Sequence, residues 1–257
     1  MKLKCVGMTD VGSSREHNED DFYLSDGEEA LCVVADGMGG HKCGEVASAM
    51  VIKTIVEFYR ETMDGSHGDS IIDTPNGRIS LDQFRLFRAI QQANKAVFDV
   101  ASENENYRGM GTTMVSSFFT ENGVYLAHVG DSRAYRFRDG KLEQQTEDHS
   151  LANEYVRMGV LSVEDIEHFP YKNVITRACG LTDDVEIEIS FREIEEGDLY
   201  ILCSDGLTDM VNDKELASVI DASNEDLESL CRLLIDRANE NGGADNITVI
   251  LARVEEV

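Results

Sequence analysis

ALCVVADGMGG, residues Ala30 to Gly40, is the stretch on which the fold depends. Its first six residues are apolar, a run of strand length and too short to cross a bilayer. The run stops at Asp36, and the glycines that follow let a backbone carbonyl come close to whatever the carboxylate holds. Four more aspartates sit at the mouths of apolar runs. Asp20 follows Arg15-Glu16-His17-Asn18-Glu19 and opens a strand, and Asp131 follows YLAHVG. Asp205 ends YILCS, and Asp245 precedes Asn246 and ITVILA.

Outward from this stretch the chain reads as short β-runs at Leu3–Thr9, Asp21–Ser25 and Ala30–Ala35. Two long helical patterns follow, Gly44–Met63 and Leu81–Ser102, with Met50, Phe58, Phe87 and Phe98 read as core. Met63–Ser80 carries turn residues and reads as a loop between them. Strands are expected at Thr112–Phe119, Val124–Val129, Ala134–Arg138 and Lys141–Gln145, with hairpin turns at Asn122-Gly123 and Asp139-Gly140. Ser150–Gly180 is irregular with short helical pieces. Strands at Val185–Arg192 and Asp198–Cys203, helices at Asp213–Ile220 and Glu225–Asn239, and a strand at Ile247–Arg253 complete the chain. Strands and helices do not alternate, so the pattern predicts one α+β domain over residues 1–257, layered on antiparallel sheets.

Fifty acids against 23 bases give a formal net charge of −27, which sets phosphate backbones and anionic lipid surfaces aside as partners. Residues 183–257 hold 21 acids and 5 bases, net −16, and read as a solvated coat. The six cysteines form no C-x-x-C pair and read as reduced and mostly buried. The N-terminus shows no apolar signal region, so the expected location is the cytoplasm.

Asp-Gly is a common turn dipeptide, and Asp139-Gly140 is read only as a turn. Five aspartates at strand ends are another matter. Strand ends from one sheet converge, and several carboxylates share a site only when cations neutralise them. Oxygen ligands without Cys or His favour hard cations, Mg²⁺ or Mn²⁺.

R-x-x-N-E-D (Arg15–Asp20), V-A-D-G-M-G-G (Val34–Gly40), G-x-x-A-S (Gly44–Ser48), G-M-G-T-T (Gly109–Thr113), H-V-G-D-S-R (His128–Arg133), S-D-G-L-T-D (Ser204–Asp209) and D-N-I-T (Asp245–Thr248) stand in this order. Together they resemble the metal-dependent protein phosphatases (PPM, type 2C), and the D-G-M-G-G form resembles the bacterial branch. The resemblance implies a four-layer αββα sandwich, two antiparallel sheets flanked by helix pairs, with a flap near 150–180. It implies a serine/threonine phosphatase, a monomer, acting on phosphoproteins, with a Ser/Thr kinase and its substrates as partners.

By the same resemblance Asp36 bridges two core Mg²⁺ or Mn²⁺ ions, and Asp205 and Asp245 bind the first of them. The Gly37 carbonyl and Asp20 serve the second, and Glu19 holds a metal-bound water. Asp131 and Asp209, with Asp205, match a third, weaker site. Arg15 matches the guanidinium that grips the phosphate, its fork suiting two oxygens at once. Two ions about 3.5–4 Å apart lower the pKa of a bridging water for in-line attack on phosphorus and offset charge on the phosphoryl oxygens. Eukaryotic relatives often carry a proton-donating His after Asp-Gly. Here that position is Met38, and the alternatives are His41 or a metal-bound water. In the flap, Arg157, Lys172 and Arg177 either help seat a phosphopeptide or form an ordinary solvated face.

Other signals are decoys. Cys231–Arg237 has the C-x₅-R spacing of cysteine phosphatases, but its intervening residues pattern as helix. Gly37–Gly44 fits neither G-x-G-x-x-G nor a Walker loop. His17, His67, His128, His149 and His168 show no metal spacing. The rival functions are a non-catalytic phosphoprotein-binding module, against which the retained acids argue, and a phosphatase dedicated to one regulatory circuit.

Overall fold

A computed structural model describes residues 1–27, 30–39, 43–62, 71–74, 77–223 and 226–257. The first strands, β1 (Lys2–Asp10), β2 (Asp20–Leu24) and β3 (Ala30–Met38), precede the long helix α1 (Cys43–Thr62). A small hairpin, β4 (Ile71–Thr74) and β5 (Gly77–Ser80), leads into α2 (Leu81–Glu103). The meander follows as β6 (Gly111–Thr112), β7 (Met114–Thr120), β8 (Gly123–Val129), β9 (Arg133–Arg138) and β10 (Lys141–Gln144). The flap carries α3 (Leu151–Arg157) and a 3₁₀ turn at Val163–His168. The chain closes with β11 (Glu188–Arg192), β12 (Leu199–Cys203), α4 (Asp205–Thr208), α5 (Asp213–Ala222), α6 (Leu227–Glu240) and β13 (Ile247–Glu256).

One antiparallel sheet runs β1-β13-β12-β9-β10, and the other runs β11-β8-β7-β3-β2 with β6 beside β3. Strand alternation builds the layers. Leu31, Val33 and Ala35 of β3 face α1 and α2, while Ala30, Cys32 and Val34 face the other sheet. In β12, Leu199, Ile201 and Cys203 face α5 and α6, and Tyr200 and Leu202 face inward. Between the sheets Phe119 meets Tyr200 edge to face, ring centroids 5.3 Å apart. The order is helix pair, sheet, sheet, helix pair, the αββα sandwich expected.

Local chemistry fixes the helix starts. Ser80 accepts from the Gln83 N–H and Asn212 from the Glu215 N–H. Asp226 accepts from the Glu228 and Ser229 N–H groups at the start of α6. Asp139 and Gly140 both take positive φ, as a two-residue turn between right-twisting strands requires.

The structure departs from the sequence reading in three places. Residues 71–74 and 77–80, read as loop, pair as the β4–β5 hairpin, with Ile72 opposite Ile79. Its strands are four residues each, too short for an alternation signal. Phe87, read as core, is exposed. The buried stripe of α2 is Leu86, Ala89, Ile90, Ala93 and Val97, whose smaller side chains let α1 pack close. Thr113 interrupts the single strand expected over 112–119, because its backbone and hydroxyl turn to Asp36. The cysteines are free and all but Cys5 are buried, and Cys231 lies within α6. Among the described residues no helix is long and apolar enough to cross a membrane.

Candidate metal centre

Register gathers the aspartates at one edge of the sandwich. Asp20 opens β2 and pairs across the strands with Asp36, near the end of β3. Asp131 follows β8, Asp205 follows β12, and Asp245 precedes β13. The Asp36 and Asp205 carboxyls are neighbours. Burial and then the charges of Asp20 and Asp205 push the Asp36 carboxyl well above the ordinary carboxylate range. Burial likewise pushes Asp20 and Asp131 up to about 7 and Asp205 to about 6. At Asp20 the Thr248 and Ser204 hydroxyls resist that rise; at Asp131 and Asp205 neighbouring acids reinforce it.

The eight residues picked out for metal lie along this edge with Arg15. The Gly37 carbonyl and the Glu19 carboxyl group both lie against Gly44 at the start of α1. A Cβ there would stand 2.7 Å from the Gly37 oxygen and 2.8 Å from the Glu19 carboxyl carbon. Only glycine admits that approach. Arg15 Nη2 donates to Asp245 Oδ2 at 2.6 Å. Asp209, exposed, accepts from Asn173 of the flap at 3.0 Å. His41 lies outside the described residues, as does His67. Met38 ends β3 opposite Gly111.

The supporting shell is what sequence reasoning missed. Ser204 and Thr248 hydroxyls each donate to Asp20 Oδ2 at 2.7 Å. Asn246 accepts from the Glu19 N–H at 2.8 Å and donates to the Val11 and His17 carbonyls, each at 2.9 Å. Ser48 donates to the Glu19 carbonyl at 2.6 Å. Thr112 and Thr113 hold the Asp36 backbone, and Thr113 meets the Ser132 hydroxyl at 2.7 Å. The available signal was residue type: short hydroxyl and amide side chains beside strand-end aspartates. Asn246→Ala is expected to cost about 2–3 kcal/mol, because it strands a buried donor and two carbonyls. Urea unfolding of the metal-free protein measures it, and a loss under 0.5 kcal/mol on the scale of ordinary surface substitutions would contradict the role.

Two buried carboxylate oxygens, Asp20 Oδ1 and Asp205 Oδ1, have no hydrogen-bond partner. Orphaned, mutually repelling oxygens are what a hard cation's ligand set looks like without its cation, so these residues fit Mg²⁺ or Mn²⁺.

A second cluster, His128, His149 and Glu188, brings three possible ligand atoms within 4.8 Å of one another, which the sequence spacing had not suggested. The Gly130 N–H donates to His149 Nδ1, and Nε2 faces both Glu188 and Arg177 at 3.2 Å. Arg157 and Arg177 both reach the same Glu188 oxygen, at 3.3 and 3.4 Å. Two guanidiniums there disfavour a further cation, and the cluster is a hydrogen-bonded base for the flap. Arg157 also pairs with Glu147 and Arg177 with Glu186, so of the three flap cations only Lys172 turns to the groove. That groove, about 850 Å³, runs from Asp131, Asp205 and Asp209 between the flap and the start of α5.

Known proteins resemble this chain closely. The family model described as Protein phosphatase 2C matches residues 12–252. The serine/threonine phosphatase stp of Listeria monocytogenes is 37% identical over 245 residues, 95% of this chain and 92% of its own. The Mycobacterium tuberculosis serine/threonine phosphatase PstP/Ppp superposes with a TM-score of 0.86 at 33% identity, covering 100% of both chains. The catalytic domain of PstP in complex with two manganese ions superposes with a TM-score of 0.82 at 32% identity, over 99% of each chain.

Proposed function

This chain belongs to the protein phosphatase 2C family, and from that membership we propose which of its residues do the work of a metal-dependent serine/threonine phosphatase. The enzyme hydrolyses phosphoserine and phosphothreonine monoesters of proteins. The observation that carries the reading is the edge of carboxylates around Asp36, two of whose oxygens are buried and unpartnered.

Asp36 would bridge two Mg²⁺ or Mn²⁺ ions, with Asp205 and Asp245 on one and Asp20, the Gly37 carbonyl and Glu19 serving the other. Asp131, Asp205 and Asp209 would hold a third. When bound, the core ions supply a water acidic enough to deprotonate near neutral pH and compensate charge on the phosphoryl oxygens. The chain does the rest. Ser204 and Thr248 fix one Asp20 oxygen and leave the other turned to the site. Asn246 holds the Glu19 backbone against the loop that carries Asp245. Arg15, on the solvent side, orients the phosphate by its paired N–H groups. Met38 has no proton to give the leaving alkoxide, so no side chain at that position is the general acid. Asp209, tied to Asn173, links the third site to the flap, and the groove beyond seats the peptide.

The same proposal places the protein in the cytoplasm as a monomer, opposing a Ser/Thr kinase on shared substrates. Its free cysteines and its charge of −27 agree with a reducing, nucleic-acid-free role.

Hydrolysis of p-nitrophenyl phosphate and of a phosphothreonine peptide tests it. Both are expected with Mn²⁺ and neither with EDTA. Turnover that survives EDTA would remove the metal mechanism. Cation binding by calorimetry with no turnover on either substrate would establish the binding-module reading instead.

A further inference from the structure

Both oxygens of Asp245 are engaged: Oδ1 accepts from the Asn246 N–H at 2.9 Å, and Oδ2 accepts from Arg15 at 2.6 Å. Asp245 is also a residue assigned to a core cation. A carboxylate oxygen cannot serve a guanidinium and a divalent ion equally, because the two cations repel at contact distance. Arg15 is tethered beside Asp245 by its backbone, since the Ser13 and Ser14 N–H groups both donate to the Gly243 carbonyl. Its side chain is half exposed, and so is that of Asp245 at 36%. The pair is therefore solvated and weak, and a side-chain rotation undoes it without moving the backbone.

We propose that Arg15 and the first divalent cation compete for Asp245, so that cation binding releases the guanidinium that then takes the substrate phosphate. The proposal rests on the metal reading of the centre and adds an order to it: cation first, phosphate second. Until the cation arrives, Arg15 is the counter-ion of Asp245 and is not presented to phosphate. Afterwards the chain has exchanged one ion pair for two stronger charge-assisted contacts. By linkage, phosphate favours the cation-loaded state as much as the cation favours phosphate, and Arg15 carries part of that coupling.

Calorimetric titration of the EDTA-stripped, full-length protein with Mn²⁺, without substrate, tests this. Arg15→Ala is expected to bind the first Mn²⁺ about 5-fold more tightly than wild type, the ceiling set by an exposed ion pair. Arg15→Lys, which keeps the charge and loses the fork, is expected in between. Lys214→Ala controls for the general field: Lys214 lies on the groove wall that Asp205 shares, and its removal is expected to change Mn²⁺ affinity less than about 2-fold. Inorganic phosphate, added to the Mn²⁺-loaded proteins, is expected to bind wild type at least about 10-fold more tightly than Arg15→Ala. Equal or weaker Mn²⁺ binding by Arg15→Ala overturns the competition and leaves the metal centre standing, as does an equal gain in Lys214→Ala. Mn²⁺ binding by none of the proteins overturns the centre and the proposal together.

Discussion

Asp36→Asn is expected to lower kcat on p-nitrophenyl phosphate about a thousandfold or more while making the metal-free protein more stable. The two halves share one cause. Asp36 faces three acids of the centre: Asp20 across the strand pair, Asp205 and Asp131. Asparagine keeps its shape, removes its charge and gains an amide that donates to the carboxylates. It thus relieves repulsion that the metal-free fold must tolerate. The same exchange removes the carboxylate proposed to bridge the two cations, so activity falls with the loss of charge.

Thermal melts in EDTA at pH 8 measure the gain, expected at about 2–4 °C for about 1 kcal/mol in a chain of this size. A merely structural Asp36 predicts the opposite, a lower melting temperature and activity reduced only in proportion to unfolding. Retention of more than a tenth of wild-type kcat, or a lower melting temperature in EDTA, would count decisively against the bridging role.

How much of this was legible in the residues follows from how local each signal is. The six apolar residues of Ala30–Ala35 and the turn residues at Asp139-Gly140 act within a few positions, and the structure matches them. The strand-end aspartates were visible as well, because each stands next to its own apolar run. Their convergence was inferred from sheet geometry and from the family resemblance, and the register of β2 on β3 makes it physical. The supporting hydrogen bonds were not legible. Thr248 reaches Asp20 across 228 positions and Asn246 reaches Glu19 across 227, and no periodicity encodes either. The His128–His149–Glu188 cluster joins a strand end, a loop and an edge strand, and is equally non-local. Phe87 shows the converse error. Aromatic spacing on α2 suggested a buried face, but close packing against α1 chose the alanines instead.

The increment in melting temperature that Mn²⁺ confers is expected to be small at pH 5.5 and large at pH 8. The sign follows from linkage. Asp20, Asp131 and Asp205 are raised from an ordinary 3.8 to about 7, 7 and 6, and Asp36 is raised as well. Between pH 4 and 7 the metal-free native state therefore holds more protons than the unfolded chain, and its stability falls as pH rises through that window. Above about pH 7 the penalty of ionising Asp20, Asp131 and Asp205 is present. Bound Mn²⁺ replaces those protons, so its benefit is discounted more at pH 5.5, where it must displace them, than at pH 8. Counting the acids as one coupled cluster in an open cleft, the difference amounts to about 2–3 kcal/mol, or roughly 5–10 °C between the two increments. His128 and His149 pull the other way, since burial lowers both, His149 to about 4, and their contribution is lost as pH falls below the ordinary histidine value. They sit at the base of the flap and contribute equally with and without Mn²⁺, so the subtraction removes them. Calorimetry in buffers of different ionisation enthalpy gives an independent count, with more protons released on Mn²⁺ binding at pH 5.5 than at pH 8. Equal increments at the two pH values, or the larger one at pH 5.5, would mean that the carboxylates raised by burial are not the groups that the cation meets.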